Sequence, residues 1–154
     1  MEHQQPADIG QQRRKLITRP GTRQRLDPGE LAAVFAGGCL GTLIRAGLAE
    51  ALPARPGQWP WATFAVNLTG AALLGYLLTR LQERPSRPLY RQSFLGAGLC
   101  GALTTFSTMM IELQRMLQGR HLGLAVAYAA ASIACGLAAV AITTRVVRGA
   151  SPPR

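Results

Sequence analysis

Four apolar blocks, each about as long as a bilayer is thick, constrain this 154-residue chain more than any other feature. They run over 31–52, 61–79, 93–117 and 122–144 and are separated by short polar stretches. A helix needs roughly 20 apolar residues to cross the hydrocarbon. Inside it every backbone N–H and C=O must find a partner within the protein, which a continuous helix provides. The pattern predicts an all-α integral membrane protein of four transmembrane helices. The third block departs from plain apolarity. Its centre is a run of small and hydroxyl residues: Gly101, Ala102, Thr104, Thr105, Ser107 and Thr108. We expect the third helix to be broken between Gly101 and Thr105. The half-helix before such a break ends in carbonyls that favour a cation, and the one after it begins with N–H groups that favour an anion. Two readings stand at this point: a lining for an ion, or a run of hydroxyls that bonds helix to helix.

Charge is segregated from these blocks. A net charge of +10 and a pI near 11.2 first suggest nucleic acid. The cations, however, sit in tails and short loops, the distribution of a membrane protein with basic flanks, so no nucleic-acid partner is expected. Residues 1–30 carry Arg13, Arg14, Lys15, Arg19, Arg23 and Arg25 and are expected to form a disordered basic tail, either setting topology or touching anionic lipid. That tail has no apolar core of its own, so the first block is expected to act as an uncleaved insertion signal. Residues 31–147 are expected to form the four-helix membrane domain and 148–154 a short tail. Four crossings put both termini on one side. That side holds thirteen cations near the spans, against Arg55, Arg115 and Arg120 on the other, with Arg45 inside a block. Both termini are therefore expected in the cytoplasm, in the plasma (inner) membrane. Cys39, Cys100 and Cys135 each fall in an apolar block without CxxC spacing and read as small buried residues.

Individual residues sharpen the picture. Gly37 and Gly41 form a GxxxG pair, and Gly70, Ala71 and Gly75 a second small-residue face, both suited to close helix packing. The fourth block, rich in alanine with Gly123 and Gly136, reads as tightly packed scaffold. Arg45 either snorkels to the interface or attracts an anion at a vestibule. Asn67 either bonds a neighbouring helix or supplies amide donors to a ligand. Trp59, Trp61 and Tyr90 mark interfacial belts, and His121 sits at a membrane edge. No nucleotide loop, HExxH, GxSxG or carboxylate pair within one block is present, so neither an enzyme nor a pump is expected. A small multidrug exporter would need a carboxylate at mid-membrane, whereas Glu50 and Glu112 lie near span ends. A non-transporting assembly subunit does not call for the polar run of the third span.

Three stretches are similar to the Fluc/CrcB family of fluoride channels: GGCLGTLIR from Gly37 to Arg45, TFAVNLTGAALLG from Thr63 to Gly75, and GLCGALTTFSTMMIE from Gly98 to Glu112. The resemblance covers all four spans and leaves out the basic amino tail. It implies an antiparallel dimer carrying fluoride through two pores lined by both subunits, with a structural sodium ion on the dimer axis. The sodium would be held by the backbone carbonyls of Gly101 and Thr104. It assigns to the pore Asn67, Thr105, Phe106, Ser107, Thr108, Met109, Glu112 and Arg45. Met109 stands where the family usually carries a second phenylalanine, exchanging a ring edge for a polarisable thioether. The charge asymmetry also departs from the near balance expected of a subunit inserting in both directions. The expected partner in the dimer is thus the chain itself or an oppositely oriented homologous subunit, surrounded by membrane lipid. The resemblance further implies passive export of cytoplasmic fluoride down its electrochemical gradient.

Overall fold

The computed structural model describes residues 27–83 and 89–150, so most of the basic tail and the second loop lie outside the described residues. Five helical stretches follow: α1, Pro28–Ala51; α2, Trp61–Glu83; α3, residues 89–103; α4, Phe106–Gln118; and α5, Leu122–Gly149. The described residues are helical, turn or irregular, and four helical stretches are long and apolar enough to cross a membrane, with α3 and α4 together making the third. The protein is all-α and multi-pass.

Local chemistry sets the boundaries. α1 begins three residues before the apolar block because Asp27 caps it: its carboxylate accepts from Gly29 N–H at 3.0 Å, and Pro28 fills the first helical position. Tyr90 O–H also donates to Asp27 at 2.6 Å, tying the start of the third crossing to that of the first. These two bonds, the tyrosine's foremost, hold the Asp27 carboxyl below its ordinary range. At the third residue of α1, Glu30 accepts from Ser93 O–H at 2.8 Å. The α4–α5 turn is a Schellman closure in which His121 N–H reaches Met116 O at 2.9 Å and Arg120 N–H reaches Leu117 O at 3.0 Å. The left-handed residue is Arg120, with φ 59°, and not the neighbouring Gly119.

Packing follows the small residues. α1 lies chiefly along the third crossing and α2 along α5. Gly37 and Gly41 are buried against α3, and Gly98 answers from the other side: a Cβ on Gly98 would lie 2.6 Å from Val34 O and 3.0 Å from Gly37 Cα. Such contact distances leave room for hydrogen only, the condition under which apolar helices gain dispersion energy in lipid. Gly75 fits likewise against Val140 of α5. The stretch Ser93–Cys100, which carries Gly96 and Gly98, is wound as a π-helix, a form frequent near functional sites.

α5 does not pack as its composition suggests. Gly123 and Gly136 face open space, and Val126, Ile133 and Leu137 are exposed in the single chain. The buried residues of α5 are instead Ala125, Tyr128 and Val147. Similarly, Cys100 is buried but Cys39 is exposed and Cys135 half-buried. An apolar residue of a membrane helix has lipid as an alternative to a core, so apolarity alone does not locate it.

Candidate functional site

Between α3 and α4 the backbone leaves the helix. Thr104 (φ −78°, ψ 148°) and Thr105 (φ −146°, ψ 119°) are extended, and helix resumes at Phe106. Gly101, placed within the expected break, is itself helical. The interruption is confined to two threonines.

Extended residues at membrane depth must be satisfied from outside the ladder, and here neighbouring spans and local hydroxyls do so. Asn67 of α2 forms a two-point clamp on Thr105: its Nδ2 donates to Thr105 O at 3.1 Å and its Oδ1 accepts from Thr105 N–H at 2.8 Å. The sequence left open whether Asn67 bonds a helix or a ligand; the geometry commits one amide hydrogen and the amide oxygen to the backbone. Arg45 also turns inward. Its Nε donates to Ala102 O at 3.2 Å, which ties the side chain to the third crossing. Thr105 caps α4, its Oγ1 accepting from Thr108 N–H at 3.2 Å.

This accounting bears on the two carbonyls named for a cation. In an unbroken helix, Gly101 O and Thr104 O would accept from Thr105 and Thr108 N–H. Both donors are directed elsewhere, to Asn67 Oδ1 and Thr105 Oγ1. The carbonyl ends of α3 are thereby released from the ladder, the chemistry a hard cation requires.

At the start of α4 the hydroxyls cluster. Thr105 Oγ1 lies 3.0 Å from Thr108 Oγ1 and 3.4 Å from Ser107 Oγ. They surround the N-terminus of a thirteen-residue helix, a partial positive charge. Phe106 is 72% exposed and Ser107 is also exposed, so part of this cluster faces outward from the single chain. A cleft of about 440 Å³ runs beside the interruption, lined by Asn67, Gly70, Cys100, Thr104, Phe106 and Met109 among others. Gly70 lies directly beneath the Thr104 methyl group. Met109 is buried, packed with Met116, Ala125 and Tyr128.

One turn further along α4 stands Glu112. It is buried, accepting from Thr63 O–H at 2.6 Å and from Tyr128 O–H at 2.8 Å. Sequence reasoning missed both donors. Tyr128 is fully buried and is the one aromatic residue of an alanine-rich span that had read as scaffold, the signal that could have found it. Its ring meets Trp59 edge-on, with centroids 5.4 Å apart. Glu112 also lines a second cleft of about 360 Å³, together with Arg55, Gln58, Arg115 and Gln118 among others. A line of polar groups thus runs from this cleft through Glu112 and Thr108 to Thr105, and it draws on α2, α4 and α5.

Fold and site together define a small multi-pass membrane protein with a polar seam through its third crossing. The chain belongs to the CrcB-like family, described as "CrcB-like protein, Camphor Resistance (CrcB)", whose match spans residues 32–144. It is 54% identical over 122 residues to fluoride-specific ion channel FluC 1 of Mycolicibacterium paratuberculosis, covering 79% of this chain and 92% of the relative. The same identity and coverage hold for fluoride-specific ion channel FluC 1 of Mycobacterium tuberculosis. A third relative, fluoride-specific ion channel FluC 2 of Nocardia farcinica, is 36% identical over 135 residues, covering 88% of this chain and 96% of its own length. These relatives are named as channels, and the family is not one of enzymes.

Proposed function

We propose that this protein is a fluoride-selective channel through which cytoplasmic fluoride leaves passively, driven by its electrochemical gradient. The observation that carries the reading is the hydroxyl cluster of Thr105, Ser107 and Thr108 at the N-terminus of α4, beside the Asn67 clamp, in a chain whose relatives are named as fluoride channels. Burying a bare ion costs on the order of 20 kcal/mol in the Born limit. A small, strongly hydrated halide therefore crosses only where donors replace its water closely. Thr105, Ser107 and Thr108 offer such donors in one helical turn, and the exposed ring edge of Phe106 adds partial positive charge.

The working unit is an antiparallel dimer. The exposed Phe106 and Ser107 support this, because a single chain leaves the cluster open on one side. A sodium ion at the centre would be held by Gly101 O and Thr104 O, the carbonyls whose helical donors are redirected; when bound it would fix the two subunits in register. The thirteen-to-three distribution of cations favours one orientation in the plasma (inner) membrane, both termini cytoplasmic, with an oppositely oriented homologous subunit as partner. The alternative is a homodimer in which the tail counts for little. Tags on both termini, read for sidedness in intact cells, separate the two: one orientation is expected, and equal populations facing each way overturn it.

Fluoride efflux from liposomes containing the purified chain, with chloride as control and any oppositely oriented subunit encoded by the same cell added in a second arm, tests the channel reading. Fluoride-selective efflux in either arm is the expected result, and chloride passing as readily as fluoride overturns it. Met109→Phe belongs in the same assay. It adds a ring edge beside the cleft that Asn67, Thr105 and Phe106 line, and we expect fluoride flux to rise several-fold, about the 0.5–1.5 kcal/mol of an aromatic contact. Unchanged flux would mean that the thioether already serves.

A further inference from the structure

At the C-terminal end of α2, we propose a binding site for an acidic phospholipid, held by Arg80 and Arg91. This proposal is independent of the ion conducted. A pocket of about 60 Å³ lies between the last turns of α2 and the first turns of the third crossing, lined by Tyr76, Leu77, Arg80, Leu81, Arg91, Gln92 and Leu95. Its composition is divided: two guanidinium groups and the Gln92 amide on the polar part, three leucines on the apolar part. The Tyr76 ring supports the Arg80 guanidinium, 5.5 Å from the ring centroid, and restricts where that charge can point.

Depth decides the occupant. Trp61, 60% exposed, marks one membrane interface at the start of α2. From there to Arg80 is roughly 28 Å of helix, about the thickness of the hydrocarbon core. Arg80 and Arg91 therefore lie at the headgroup level of the opposite leaflet, where half-exposed Tyr90 forms the matching belt. A guanidinium pairs with a phosphate through two parallel hydrogen bonds, and basic pockets between membrane helices hold anionic headgroups. A free phosphate would leave the leucine wall without a function; a diacyl phospholipid lays an acyl chain along Leu77, Leu81 and Leu95 while its phosphodiester meets the arginines. The same leaflet is the one the cation count assigns to the cytoplasm, where anionic lipid is concentrated.

Native mass spectrometry of the purified full-length chain in detergent tests the site, with phosphatidylglycerol, phosphatidylcholine or inorganic phosphate added separately. The expected result is retention of phosphatidylglycerol over phosphatidylcholine, with no adduct from phosphate. Arg91→Gln, an exposed position, should weaken phosphatidylglycerol binding about five-fold, the worth of one cation at an anionic headgroup. Arg120→Gln, at the opposite membrane edge, should leave it unchanged. Equal retention of the two lipids, binding of phosphate alone, or phosphatidylglycerol binding that Arg91→Gln does not alter would each overturn the proposal. Arg80→Gln serves as a second probe where it folds, and should weaken binding at least as much because its guanidinium is positioned by Tyr76.

Discussion

Asn67→Ala will lower fluoride efflux by at least about a hundred-fold and will destabilise the chain. Two backbone groups of Thr105 depend on this one side chain, at 2.8 and 3.1 Å. Leaving a buried donor or acceptor unsatisfied costs about 1–3 kcal/mol each in proteins, and hydrocarbon offers no water to relieve it. The chain's cheapest escape is to extend the helix through Thr104 and Thr105. That response would return Thr105 N–H to Gly101 O and Thr108 N–H to Thr104 O, remove the cap, and disperse the hydroxyls now gathered at the start of α4. Asn67→Asp separates the two contributions. Its carboxylate still accepts from Thr105 N–H but opposes Thr105 O, and it places a negative charge beside the proposed anion path. We expect Asn67→Asp to lose flux as fully as Asn67→Ala while retaining more of the thermal midpoint. Efflux from liposomes and thermal unfolding in detergent read the two quantities. Wild-type flux in Asn67→Ala would mean that Thr105 is held by something other than the clamp, and that the cluster does not conduct.

The clamp also shows what could and could not be read from the chain alone. The four crossings, the hydroxyl run and the importance of Asn67 were legible because each is a local excess: apolar residues in blocks of about twenty, or polar residues where hydrocarbon forbids them. What each polar residue bonds was not legible. Arg45 meets Ala102 across 57 positions and Thr63 meets Glu112 across 49. Such partners are fixed by which spans are neighbours, and apolar periodicity is nearly silent on that because lipid accepts any apolar face. Hence Glu112 could be placed near a span end, but not against the Thr63 and Tyr128 hydroxyls that bond it. Hence also the fourth span read as tightly packed, when Gly123 and Gly136 are open in the single chain. Glycine spacing signals that a close approach is possible, but only the neighbour decides which glycine is used.

Adjacent glycines in α1 turn that last point into a test of large effect. Gly37→Val is expected to prevent stable folding, whereas Gly38→Val is expected to be nearly silent. A Cβ at Gly37 would run into the carbonyl oxygen of Phe94 and lie 2.9 Å from Leu99 N, both backbone atoms that no rotamer change can move. A Cβ at Gly38 would meet nothing within 4 Å. Overfilling a packed interior costs about 1–3 kcal/mol and occasionally more. Here the upper end or beyond is expected, since the obstruction lies on the seam joining the first and third crossings. That seam also aligns Arg45 with Ala102 and brings Asp27 and Glu30 to Tyr90 and Ser93. Parting it by the thickness of two methyl groups would break these contacts together, so the loss should exceed any single one. Gly38→Val pays only the small helix-propensity cost of a β-branched residue, and that replacement even removes the greater cost of glycine in a helix. Membrane yield and thermal midpoint of the two variants, side by side, decide the matter. A stable Gly37→Val would require α1 to pack elsewhere than on the π-helical stretch, and the site built upon that packing would fall with it.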